Sequence, residues 1–543
     1  MRVVSLVFAI LAFATALPAK AADWYLAETQ HFTIYSEDSE KATLEFAREL
    51  ERLDEVLRII SGVGPDDGGM PDSAKVVVFR FGETQNMAGL LGNRSSGVGG
   101  FFIPRASGSV AFVPRRKNVS YDRSNAGRID GLDLDPKAVL FHEYVHYFMY
   151  QHRNAPYPGW YREGFAELFS TLRFEEDRFV IGDTPTWRSV SIMAVNIDLK
   201  KMLDPPTKNY DERVVHYYGH GWLLASLLNF TPERRPQITE YITQIAKGTD
   251  RLEAAKIAFG DLDQLEKELK AYRTSAAKVL KIPYMNKEEP AVEVRKLGAD
   301  EVARMDLMIA SKVGVDEKRA ARQLPEARAM VERFPQSKAV LLAATEVEFD
   351  NKNYAEAEVL AKKILDADPK SIDAAIYYAQ VPLMQSLEDP ARMAVARERF
   401  IAANKMANDH PVPLFGYYLT YALAGDEMPD NAKAALESAY EFAPFDAGIR
   451  TTLVHMFLLE GDTEIANSLL FPLIQSGEGA RFADRLKAAL EKYEAGEKEP
   501  LLKLVKPRHP AAEPEDDDDE EDGEGGEGGE GGEGESVRLL IAG

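Results

Sequence analysis

Four prolines in the second half of the chain, Pro335, Pro369, Pro411 and Pro444, are spaced 34, 42 and 33 residues apart. They punctuate Ala-rich stretches whose apolar residues recur at helical spacing. Helices of this length cannot each bury an apolar face alone. They must pair and then stack, so the stretch predicts an α-helical solenoid with a concave binding surface. Packing residues mark where paired helices approach: Tyr354 with the small Ala357 ahead of one repeat boundary, and the small Ala432 and Ala439 ahead of another. The 42-residue interval predicts an insertion around 382–390.

The first half reads differently. Residues 24–35 alternate as strand, and Leu44, Ala47, Leu50, Leu53, Leu57 and Ile60 place an amphipathic helix over 39–60. Val76–Phe79 reads as a buried strand. Phe101–Ile103 and Val110–Val113 flank a Pro-Arg-Ala-Ser-Gly turn and read as a hairpin. A helix follows from Pro136 to about His152, with Asp135 as its N-cap and Pro136 at the first helical position, where a missing N–H costs nothing. The unit is mixed, strands first and then mostly helices.

The ends have their own composition. Arg2 precedes an apolar run from Val3 to Leu17, then Pro-Ala-Lys-Ala, the pattern of a cleaved secretory leader. Residues 513–535 hold fourteen acids and no base, a composition that predicts a disordered acidic tail. Four segments result: a signal peptide (1–22), a mixed unit (23–285), a helical repeat unit (286–505) and an acidic Gly/Glu-rich tail (506–543). The expected location is outside the cytoplasm, in a bacterial periplasm or secreted. The chain has no cysteine, which excludes disulfides, thiolate zinc sites and a cysteine nucleophile. Its net charge of −23 argues against nucleic acid or an anionic membrane as partner.

The chemistry concentrates in His142-Glu143-Tyr144-Val145-His146. On a helix, residues four apart share a face, so the two imidazoles converge on one ion. Glu143 then stands beside the open position, where it can take a proton from water. A third protein ligand is needed. Glu163, on a second helix beginning near Pro158, is the candidate, and Glu167, one turn on, is the expected partner of a ligand histidine's free N–H. The donor set His142, His146 and Glu163 suits one Zn2+ per chain. The segment 215–224 precedes an apolar helix and offers Tyr218, His220, His216 and Tyr217 as groups to steady an oxyanion. Val110–Val113 is the candidate edge strand for an extended peptide substrate.

HExxH followed by Trp-x-x-Glu-Gly-x-Ala-Glu resembles the gluzincin metallopeptidases, and more narrowly the bacterial peptidase MA-like domains, which are often joined to tetratricopeptide repeats. The 34-residue period resembles those repeats too. The resemblance covers about 24–280. It implies an α+β, thermolysin-like zincin domain followed by an all-α tetratricopeptide-like solenoid. It also implies zinc on His142, His146 and Glu163, Glu143 as general base, Glu167 in an acidic supporting position, and Tyr218 facing the substrate carbonyl, with His220 its rival. The gap from His146 to Glu163 is shorter than in aminopeptidases, and no Gly-x-Met-Glu-Asn signature lies upstream. Both departures favour an endopeptidase. The expected partners are a peptide or protein substrate and a protein bound by the repeats. Two other readings stay open: a catalytically idle peptidase fold carrying a binding module, and a zinc hydrolase acting on a non-peptide amide.

Overall fold

The computed structural model describes residues 23–64, 72–91, 100–116, 135–153, 155–205, 216–275, 279–475 and 480–512. The expected leader and the acidic run from 513 lie outside these.

The first half is built on a six-stranded sheet. Its strands are β1 (Tyr25–Glu28), β2 (Phe32–Ser36), β3 (Val76–Glu83), β4 (Phe101–Ile103), β5 (Val110–Arg116) and β9 (Glu293–Lys296), in the order β4-β5-β3-β2-β1-β9. β2, β3 and β5 run parallel, and β4, β1 and β9 pair antiparallel. A smaller antiparallel sheet joins β6 (Arg173–Phe174), β7 (Arg178–Ile181) and β8 (Leu280–Pro283).

Side chains alternate across the large sheet, as a period of two requires. Ala27, Ile34, Val78 and Ala111 face one core, which they share with helices α1 (Glu40–Ser61) and α3 (Pro136–His152). Their neighbours Leu26, Phe79 and Phe112 face the other, covered by Met87 of α2 (Thr84–Leu90) and by Met305, Met308 and Ile309. A sheet buried on both faces explains the continuous Val-Val-Val-Phe run in β3. α3 starts as its sequence dictates: the Asp135 side chain accepts from Lys137 N at 2.9 Å, and Pro136 fills the first turn.

Two boundaries differ from expectation. β9 lies beyond residue 285, yet it pairs along the whole of β1 and belongs to the first sheet. Residues 506–512 lie on the helical array, not free of it: Ser386 Oγ and His509 Nε2 are 3.0 Å apart, and Ala511 packs against the buried cluster of Phe349, Tyr377 and Val381. The expected edge strand is also corrected. Val110–Phe112 pairs with β4 on one side and β3 on the other, so this part of β5 is internal, and the sheet's edges are β4 and β9.

The rest of the chain is helical. Pairs follow one another: Lys338–Asp350 with Tyr354–Ala367, Ile372–Gln385 with Arg392–Met406, Pro411–Ala422 with Asp430–Phe442, and Ala447–Glu460 with Thr463–Gln475. The first helices of the first three pairs also touch in sequence, which makes the array a solenoid. Each of the four spaced prolines stands at the start of a pair. Ala357, Ala432 and Ala439 are fully buried between helices. The extra length of the long interval includes the connection 386–391, while Pro382 sits inside a helix. No helix among the described residues is long and apolar enough to cross a membrane.

Under α3 lies a buried ionic cluster. His31 Nδ1 meets Glu51 Oε2 at 2.7 Å, Arg58 Nε donates to Asp54 Oδ2 at 2.5 Å, and Tyr144 Oη donates to Asp54 Oδ1 at 2.8 Å. Burial pulls the His31 imidazole down, but the Glu51 bond and the Asp54 and Glu51 charges outweigh it and raise its pKa. Burial likewise pushes Glu51 up, and His31 more than reverses this. The His31 contribution is complete below its unfolded value of about 6.5 and is lost as pH rises through its higher folded value. The Glu51 contribution is present above about 4.3 and is lost as pH falls through its lower folded value. Glu51→Gln should therefore cost about 1.5–3 kcal/mol near neutrality and flatten the alkaline loss. Urea midpoints across this range check it; an unchanged profile in the variant contradicts it.

Candidate metal centre

α3 and α4 (Gly159–Ser170) pack against each other and bring three side chains to one point. His142 Nε2 lies 3.1 Å from His146 Nε2, and Glu163 Oε2 lies 3.0 Å from the first and 3.3 Å from the second. The His142 and His146 rings stand nearly perpendicular, at 88°. His142 and Glu163 are buried, and His146 and Glu143 are half-buried. Among the described residues, this is the group of histidine and acid side chains able to hold an ion, with ligand atoms all within 4.8 Å.

The donors fit a metal. An ion with bonds of about 2.0–2.1 Å in tetrahedral geometry spaces its ligand atoms by roughly 3.3 Å. The three ligand atoms stand 3.0–3.3 Å apart, close to that spacing. Burial pulls the His142 imidazole down, yet the Glu163 hydrogen bond and the Glu163, Glu167 and Glu143 charges lift it to about 9. Burial opposes ionisation of Glu163 too. The charges of His146 and Arg162 and the His142 bond overcome it and hold the carboxyl well below its usual range. An ion entering the site competes with the proton on His142 for the same carboxylate.

Glu167 lies behind His142 and is almost fully buried, but its oxygen is 3.9 Å from His142 Nδ1. That is an electrostatic contact and is too long for a hydrogen bond. Its oxygens instead accept from Trp187 Nε1 at 3.2 Å and Arg188 Nε at 2.7 Å. Tyr218 stacks on His142, with ring centroids 5.7 Å apart, and carries the Arg188 guanidinium over its own ring at 4.2 Å. His220 is fully buried and pairs with His216, Nδ1 to Nδ1 at 3.1 Å. Burial and the neighbouring His216 push His220 down to about 4. Tyr217 packs over Gly159 at the start of α4. Among the candidates at 216–220, Tyr218 meets the HExxH helix through its ring contact with His142.

Two features went unread in the sequence. Arg162, also buried, donates to Glu163 Oε1 through Nε at 3.0 Å and Nη2 at 2.9 Å. The second is a glycine contact. A Cβ on Gly164 would sit 2.2 Å from the Gly221 carbonyl carbon, and a Cβ on Gly221 would sit 2.5 Å from Trp160 O. α4 thus lies backbone to backbone on the start of helix Gly221–Phe230, with Tyr218 just ahead of it. The two glycines themselves are the only sequence signal, and they carry no pairing information.

No protein-family model matches the chain, and no curated protein matches it. Among solved structures, the chain is similar to a thermophilic TPR protein of Thermus thermophilus, at 17% identity over 38% of this chain and 100% of that one, with a TM-score of 0.28. The helical pairs rest on their own contacts.

Gly164→Ala should force α4 off its neighbour and cost about 1–3 kcal/mol. Thermal melts read the loss; a variant as stable as wild type contradicts the close approach.

Proposed function

We propose that this chain is an exported zinc-dependent metallopeptidase of gluzincin type, with tetratricopeptide-like repeats that bind a protein partner or substrate. The carrying observation is the convergence of His142, His146 and Glu163 on one point. Export rests on the leader-like sequence of residues 1–22.

His142, His146 and Glu163 would hold the ion. When bound, zinc supplies a Lewis acid for a carbonyl oxygen and a water of lowered pKa. Glu143 follows His142 on α3 and is half-buried, so it is within reach of solvent at the site. Its role is to take the proton of the attacking water and return it to the leaving amine. Tyr218, stacked on His142, is the group this reading assigns to donate to the oxygen that gains charge. Glu167 keeps negative charge behind His142 and is itself fixed by Trp187 and Arg188.

The repeats are joined to this site. Tyr147, one residue past His146, packs on Phe445 at 5.2 Å between ring centroids, and Gln151 Nε2 donates to Phe442 O at 3.4 Å. The solenoid itself is thus held against the HExxH helix.

The test is cleavage of an unstructured, internally quenched peptide. Glu143→Gln should lower kcat by about 10²–10⁴ and leave the bound metal unchanged. Tyr218→Phe should lower kcat by about 10². Equal cleavage by wild type and Glu143→Gln sinks the mechanism. No cleavage of any peptide by a metal-loaded wild type favours an idle fold with a binding role.

A further inference from the structure

We infer that Arg162 is a positioning residue that divides the Glu163 carboxylate, holding Oε1 so that Oε2 alone is presented to the histidine pair. The inference rests on the metallopeptidase reading and concerns how that site is kept open.

A free carboxylate beside a divalent ion can bind through one oxygen or swing to offer both. Here the two oxygens have different partners. Oε1 accepts two hydrogen bonds from one guanidinium, from Nε at 3.0 Å and Nη2 at 2.9 Å. Oε2 faces His142 Nε2 at 3.0 Å and His146 Nε2 at 3.3 Å. Charge-assisted bonds of this kind are among the stronger ones available, and the planar guanidinium fixes direction as well as distance. For Oε1 to turn toward the histidines, both bonds must break inside the protein, where nothing replaces them cheaply.

The arginine is also in an uncommon place. Arg162 is 4% exposed and Glu163 is 3% exposed. Arginine is almost never buried so fully unless paired, and a buried pair seldom adds stability over apolar packing. The arrangement is better explained by what it does to the carboxylate. It fixes the orientation of a ligand and leaves one more position at the centre for water or substrate. A supporting contact of this kind typically changes metal affinity by about 10–100-fold when removed.

The experiment uses the full chain, stripped of metal by chelator and titrated with Co2+. Affinity is read by competition with a chromophoric chelator, and ligand geometry by the visible absorption of the bound cobalt. That absorption is intense for four ligands and weaker for five or six. Arg162→Met should bind Co2+ about 10–100-fold more weakly and with weaker absorption, as Glu163 turns both oxygens inward. Arg162→Lys should restore part of the affinity, since one ammonium can still hold Oε1. A folded Arg162→Met with wild-type affinity and wild-type spectrum overturns the inference. If that variant does not fold, Arg162→Gln takes its place and is read the same way: weaker binding with weaker absorption supports the inference, and wild-type affinity with a wild-type spectrum overturns it. A wild type that binds no Co2+ overturns the metal reading itself, and this inference with it.

Discussion

The close backbone contact between Gly164 and Gly221 sets the distance on which the candidate centre depends. It lets α4 lie directly on the start of the helix Gly221–Phe230. Glu163 then points from α4 toward α3, and Tyr218, three residues ahead of Gly221, stacks on His142. Any side chain at either glycine would drive the helices apart, and the ligand would follow. Gly219 extends the same packing, since a Cβ there would lie 2.1 Å from Ser191 Oγ. The segment 188–192 is thereby held where Arg188 can span Glu167 and Tyr218.

Around that contact the charges are arranged in two layers. The inner layer is Glu163 with its histidines and Arg162, and the outer is Glu167 with Trp187 and Arg188. A third cluster, His31, Glu51, Asp54 and Arg58, ties α1 to α3 through Tyr144. Tyr144 lies between Glu143 and Val145, so the α3 backbone that carries the HExxH side chains is anchored from below. The helical array adds a further hold. Ala106 N donates to Asp446 Oδ2 at 3.2 Å, and Arg105 Nη1 donates to Lys312 O at 2.9 Å. The turn between β4 and β5 is thus seated on both the connecting helices and the solenoid.

Much of this was legible because it is local. Asp135-Pro136 announces a helix start, and HExxH on that helix fixes the relative direction of two imidazoles by spacing alone. Glu163 could be singled out because a return helix needs a turn, and Pro158 marks where it starts. The solenoid was legible in the spacing of its prolines and the alanines between them. What could not be read is non-local. β9 joins the first sheet from beyond residue 290 by backbone hydrogen bonds, which leave little trace in side-chain pattern. The same is true of β3 pairing with β5 on the side away from its hairpin partner β4, which makes β5 internal and leaves β4 as the edge. Nothing in the sequence marks Arg162, because an arginine beside a glutamate on a helix is ordinarily a solvated pair. His220, two residues from Tyr218, carries an equally suggestive sequence position, and only the fold turns it toward His216.

On the proposed reading, His142, His146 and Glu163 hold one metal ion. The most direct measurement is native mass spectrometry of the full chain, purified without added metal, beside the Glu163→Ala variant. The account predicts a mass increment of one zinc per chain in wild type, lost on mild acidification and absent from the variant. A folded wild type that stays metal-free after dialysis against zinc, or a variant that keeps the same increment, would contradict it.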